Sequence, residues 1–82
     1  MKEYNQSLLK SVIVSVSILK HKRLTEEERA ITRSNLNYTI SEMDKAGIPY
    51  KVQNALFWVG YSHNTAEHYL SDLLQLAESR IA

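Results

Sequence analysis

Hydrophobic residues recur three and four positions apart through most of the chain, a spacing that places them on one side of an α-helix. The pattern predicts four helices, over residues 5–23, from Thr25 to about Ala46, over about 49–59 and from His63 to Ile81. Short turns separate these segments. We therefore expect an all-α fold, a compact bundle of about four helices in a single domain, residues 1–82.

The first of these segments also alternates between apolar and smaller or polar residues, as a half-buried strand does. The alternating apolar positions are Val12, Val14, Val16 and Ile18. No other β-rich run is present, so residues 11–18 could form a strand only if two chains paired, as in ribbon-helix-helix dimers. We favour the helix, in which Val14 and Ile18 lie away from the core side and offer apolar surface to a homodimer or a protein partner.

Two local signals bound the second helix. Thr25 can cap its first turn, and Glu28 stands at the reciprocal position of a capping box. Gly47 suits the left-handed conformation that ends a helix, and Pro49 prevents the helix from continuing. The acidic residues that follow Thr25 are therefore expected to be structural.

Basic residues gather around the first predicted turn. The cluster Lys20–Arg23 complements the C-terminal end of the first helix dipole, and its alternative role is contact with an acidic partner or a phosphate backbone. Arg29 and Arg33 are four residues apart on an exposed edge of the second helix. We expect them to pair with Glu26 or to remain solvated.

Aromatic residues are concentrated in the third helix, on sides that its narrow core stripe leaves free. Tyr50 and Phe57 project nearly opposite that stripe, and Trp58 lies on its flank. Such a helix is either wrapped by neighbours on all sides or presents its aromatics to a partner. Because a short chain has few neighbours to offer, we predict a protein-binding surface that includes Tyr50, Phe57 and Trp58.

Residues 52–70 resemble the helix-turn-helix pattern of DNA-binding proteins. Gly60 stands at the turn, and Ser62 or Asn64 follows as the cap of the motif's second helix. Leu56 occupies a position where that family usually has alanine. The resemblance implies that the last two helices are arranged like a helix-turn-helix, and it identifies no narrower family.

The same resemblance implies a DNA-binding surface at the start of the last helix. Base contacts would fall to His63, Asn64, Glu67 and His68, and Lys51 would contact phosphate. The electrostatics oppose this use, because the net charge is only +1 and the last helix is poor in basic residues. Neutralisation of phosphates supplies most of the non-specific affinity for DNA.

The sequence lacks the residue combinations that common catalytic sites require. It has no cysteine, no Ser/His/Asp set and no phosphate-binding glycine loop. His63 and Glu67 are one helical turn apart, but no third metal ligand accompanies them. We therefore predict that the protein is not an enzyme and uses no cofactor or metal.

The longest apolar run, residues 12–19, is too short to cross a bilayer and lacks a signal-peptide cleavage pattern. We expect a cytoplasmic protein without membrane insertion. The function predicted first is a small non-enzymatic regulator that binds a protein partner, comparable in size and character to accessory or inhibitor proteins of phages and plasmids. The alternative is a helix-turn-helix DNA-binding transcriptional regulator.

Overall fold

Four helices follow one another along the chain, and the first of them is the centre of the fold. The computed structural model describes residues 4–81, in which the helices are α1 (Gln6–His21), α2 (Glu26–Lys45), α3 (Tyr50–Ser62) and α4 (Leu70–Ile81). α1 packs against the other three helices, and α3 also packs against α4. The described range contains no strand, so the predicted all-α bundle is confirmed and residues 11–18 are helical. None of the described helices combines the length and hydropathy needed to cross a membrane.

The core is built mainly from α1, α3 and α4. Its buried apolar residues are Leu9, Val12, Ile13, Met43, Ile48, Val52, Ala55, Leu56, Val59, Leu73, Leu74 and Ala77. Among the described residues, α2 contributes only Met43 to this set. A polar contact also joins α2 to α1, with the hydroxyl oxygens of Thr39 and Ser11 3.3 Å apart. The position of α2 therefore depends less on core burial than that of any other helix.

Local hydrogen bonds define both ends of α2, as the sequence predicts. At its start the amide of Thr25 donates to Oε1 of Glu28 at 3.0 Å, and the amide of Glu28 donates to Oγ1 of Thr25 at 3.1 Å. At its end Gly47 has a φ of +75°, and the amide of Ile48 donates to the carbonyl of Met43 at 3.1 Å. Two hydrogen bonds lower the pKa of the Glu28 carboxyl. The larger effect comes from the bond with the Thr25 amide and the smaller from the bond with the Thr25 hydroxyl.

The turn predicted at Gly60 is wrong, because Gly60 lies inside α3 and does not have a positive φ. A Cβ atom at this position would lie 2.7 Å from the carbonyl oxygen of Ile13 and 2.8 Å from Cβ of Val16, both on α1. The missing side chain therefore allows α1 and α3 to cross closely. α3 continues past this crossing and ends at Ser62.

The fourth helix begins at Leu70 rather than at His63, and residues 63–69 form an irregular connection. Oδ1 of Asn64 accepts a hydrogen bond from the amide of Ala66 at 3.0 Å. Such a local bond offers the backbone an alternative to the helix. Ser62 is therefore the last residue of α3 and Asn64 lies within the connection, so neither caps α4. The short turn of a helix-turn-helix is replaced by a longer loop.

Replacement of Gly60 by alanine tests the close crossing of α1 and α3. Alanine is preferred over glycine in a helix by about 1 kcal/mol, but the new Cβ would meet atoms that move only if the helices separate, at a cost of about 3 kcal/mol. We expect Gly60→Ala to lower the free energy of unfolding by about 2 kcal/mol, measured by urea denaturation. Asn54→Ala, at an exposed position of the same helix, is the control. Equal stability of the two variants would contradict the crossing.

The capping box should make the start of α2 sensitive to acid. Because the pKa of Glu28 is lower in the folded protein than its usual 4.5, the stabilisation is fully present above pH 4.5 and is lost as the pH falls through the folded value. An NMR titration of the Glu28 carboxyl carbon should report this lowered pKa, and Thr25→Ala should raise it. A wild-type Glu28 that titrates at or above 4.5 would refute the capping arrangement.

Candidate partner-binding groove

An open groove lies over α1 between α2 and α3. The two flanking helices are joined by the turn at Gly47 and, next to it, by a 2.9 Å hydrogen bond from Nε2 of Gln53 to Oδ1 of Asp44. Away from this turn α2 and α3 do not pack against each other within the described chain. The groove that results has a volume of about 590 Å³, within the range of about 300–1,000 Å³ typical of ligand pockets.

The surface of the groove is mostly apolar. Its apolar lining residues are Val16 and Leu19 of α1, Leu36 of α2, and Phe57, Trp58 and Tyr61 of α3. The three aromatic residues of α3 share one side of that helix because they are one, three and four positions apart. Trp58 remains 37% exposed and Tyr61 59% exposed. Phe57, Trp58 and Tyr61 together form an aromatic wall along the groove, and this wall is available to a bound molecule.

Three basic side chains, Lys20, Arg29 and Arg33, border the apolar surface. Nζ of Lys20 lies 4.7 Å from the ring centroid of Tyr61. Nη1 of Arg29 is 3.5 Å from the carbonyl oxygen of Leu19. Within residues 4–81 no carboxylate forms an ion pair with these three groups, and no acidic residue lines the groove. The groove thus combines apolar surface with positive charge that is not neutralised by the described chain.

A fourth cation, Arg80, contacts the aromatic wall from outside the groove. Cζ of Arg80, on α4, lies 4.2 Å from the ring centroid of Trp58, close enough for a cation–π interaction. The His63 ring packs edge-on against the same indole at a centroid distance of 5.8 Å. These contacts restrict the orientation of Trp58 before any partner binds.

The five residues predicted to bind a protein partner do not form one surface. Phe57 and Trp58 line the groove. Tyr50 is 77% exposed at the opposite end of α3. Val14 and Ile18 are half-buried on α1 and lie outside the groove lining.

The arginines of the groove belong to a surface that the sequence does not single out. The sequence predicts that both pair with Glu26 or are solvated, and neither forms an ion pair within the described residues. Their spacing with Leu36 is the signal that could have identified them, since Arg29, Arg33 and Leu36 lie on one side of α2. What the sequence could not show is that α3 leaves this side of α2 uncovered.

Four of the five residues predicted to contact DNA lie on a loop and not on a recognition helix. His63, Asn64, Glu67 and His68 all precede α4, and Lys51 is in the first turn of α3, at the end of that helix far from His63. The rings of His63 and His68 pack against each other with centroids 5.3 Å apart. The described residues contain no group of three or more potential metal ligands.

The loop is attached to α1 by one buried hydroxyl group. Ser17, only 1% exposed, donates from Oγ to the carbonyl of His63 and accepts from the amide of Thr65, both at 3.0 Å. Two backbone groups of the loop are thereby satisfied without helix formation. The contact explains why the chain departs from the predicted helix at this point.

Ser17→Ala should release the loop from α1. It leaves a carbonyl and an amide without their partner, at a cost of about 1–3 kcal/mol for each group that stays buried. We expect a lower free energy of unfolding in urea and faster hydrogen exchange at the Thr65 amide. Ser15→Ala is the matched control, because Ser15 is also buried on α1 but makes no hydrogen bond to the described loop. Exchange at Thr65 that is unchanged in Ser17→Ala would contradict the attachment.

No protein-family model, curated protein or solved structure matches this chain. The geometry of the groove is therefore the basis for a functional proposal.

Proposed function

We propose that this protein is a small non-enzymatic regulator that acts in the cytoplasm by binding a segment of a protein partner in the groove between α2 and α3. The observation that carries the proposal is the exposed aromatic wall of α3 facing uncompensated positive charge on α1 and α2. An accessory or inhibitor protein of the phage or plasmid type would use such a surface to occupy a site on a larger protein.

The aromatic wall supports this proposal energetically. Tryptophan and tyrosine supply a large share of the binding energy in protein interfaces when a partner buries them. Trp58 and Tyr61 both have exposed area left to bury, and apolar burial contributes about 25 cal/mol per Å². Since Arg80 and His63 already restrict the Trp58 ring, less conformational entropy is lost on binding.

The three basic side chains that border the groove support selectivity for an acidic partner. Charges at the edge of an interface speed the encounter with an oppositely charged partner and disfavour wrong ones. Arg29 and Arg33 can each donate two parallel hydrogen bonds to a carboxylate, which fixes geometry as well as attraction. Lys20 provides a third charge on the α1 side.

The alternative function is DNA binding. The described structure lacks the helix start that would present His63 and Asn64 to bases, so the basic groups around the groove would have to bind phosphate without reading the sequence. Such binding would weaken steeply with salt. The two functions are distinguished by the experiment below.

A photo-reactive amino acid at position 61 should capture the partner. We expect benzoylphenylalanine at position 61 to form a covalent adduct with one protein in cells, and the same amino acid at position 38 to form none. Tyr38 is the matched control because it is 63% exposed, against 59% for Tyr61, and lies outside the groove. Adducts of equal yield at both positions would contradict binding in the groove.

The captured partner should then respond to groove variants in a titration with purified proteins. We expect Trp58→Ala and Arg33→Glu each to weaken binding about tenfold or more, and Tyr50→Ala to leave it unchanged. Circular dichroism should show a folded protein in each case, and Arg33→Glu should leave folding intact because the side chain is exposed. Retardation of a DNA duplex that is lost in Arg33→Glu, without any protein adduct, would instead support the alternative function.

A further inference from the structure

We infer that the occupant of the groove is an amphipathic helix of the partner that carries carboxylates about one helical turn apart. This inference rests on the proposed function and specifies the chemistry of the partner segment. It combines the packing of the four helices with the positions of the three basic groups.

The packing leaves one helix position unfilled in the described chain. α4 packs against α3 and also contacts α1, with Leu73, Leu74 and Ala77 buried. No described element occupies the corresponding place between α2 and α3 over α1. An amphipathic helix with apolar residues three and four positions apart is the kind of segment that binds such a groove.

The basic groups define where acidic residues would stand on that helix. Arg29 and Arg33 are four residues apart on α2, so their Cα atoms differ by about 6 Å along the helix axis. Carboxylates at positions i and i+4 of a helix have the same separation and can each pair with one guanidinium. The apolar side of such a helix would face Leu19, Phe57 and Trp58.

The partner is inferred to be a different chain rather than a second copy of this one. Ile31 and Tyr38, which are 55% and 63% exposed, form an apolar strip on α2 with Glu27 and Glu42 nearby in sequence. They lie about 180–200° around the helix from Arg29, on the side away from the groove. Binding of this strip in the groove of a second copy would be head-to-tail and would propagate into chains.

A peptide titration tests the inference with an intrinsic probe, because Trp58 is the single tryptophan of the chain. The probe is a designed 18-residue helical peptide without tryptophan, with leucines three and four positions apart and glutamates at i and i+4 beside them. We expect it to change the Trp58 fluorescence in a saturable way. The same peptide with glutamine for glutamate should bind at least tenfold more weakly, and one with a central proline should not bind.

Reversing the charges on both the protein and the peptide shows whether binding depends on specific arginine–carboxylate pairs or only on the overall attraction between opposite charges. Arg29→Glu with Arg33→Glu should abolish binding of the glutamate peptide and permit binding of a peptide with lysine at those positions. Lys51→Glu, an exposed change outside the groove, should leave the affinity for the glutamate peptide within about twofold.

Three results would overturn the inference. The first is no fluorescence response to the glutamate peptide at millimolar concentration, and the second is equal affinity for the glutamate and glutamine peptides. The third is saturable binding of dodecanoate at the same site in preference to the peptide, which would assign the groove to a small apolar carboxylate. A partner captured at position 61 and lost in Trp58→Ala would still support the proposed function after either of the first two results.

Discussion

The close crossing of α1 and α3 at Gly60 is the contact on which the rest of the structure depends. With no Cβ on Gly60, the backbone of α3 approaches Ile13 and Val16 of α1, and α3 continues as a helix beyond that point. This continuation places Tyr61 beside Lys20, and it brings the loop within reach of Ser17. One small residue therefore positions both the aromatic wall of the groove and the connection to α4.

The groove exists because, in the described part of the chain, α2 packs along α1 but, beyond the turn at Gly47, does not pack along α3. Hydrogen bonds between nearby residues stabilise its two ends, at Thr25 and at Gly47. Its fully buried apolar residue is Met43, and Leu36 and Ile40 pack partly buried against the core. A helix stabilised in this way does not need a second neighbouring helix to hold its position. The side that carries Arg29 and Arg33 is therefore free to face the groove, where a partner's carboxylates can reach both guanidinium groups.

Of the residues predicted to bind a protein partner, Phe57 and Trp58 line the candidate site, whereas its two arginines were missed for a physical reason. Phe57 and Trp58 stand out because large aromatics outside a narrow core stripe are unusual in a short helix. Arg29 and Arg33 do not stand out, because arginines four residues apart are equally suited to an ordinary solvated edge. Their role depends on the groove aromatics of α3, which begin at Phe57, 24 residues beyond Arg33 in the chain.

Local signals were sufficient to predict the presence of four helices and both ends of α2. The caps at Thr25 and Gly47 were predictable because their hydrogen bonds join residues no more than five positions apart, and the buried apolar residues of α1 and α3 recur at helical spacing. The end of α3 and the start of α4 were not predictable in this way. Glycine serves equally in a left-handed turn and in a close helix crossing, and only contact with α1, through Ile13, Val16 and Ser17, decided between them.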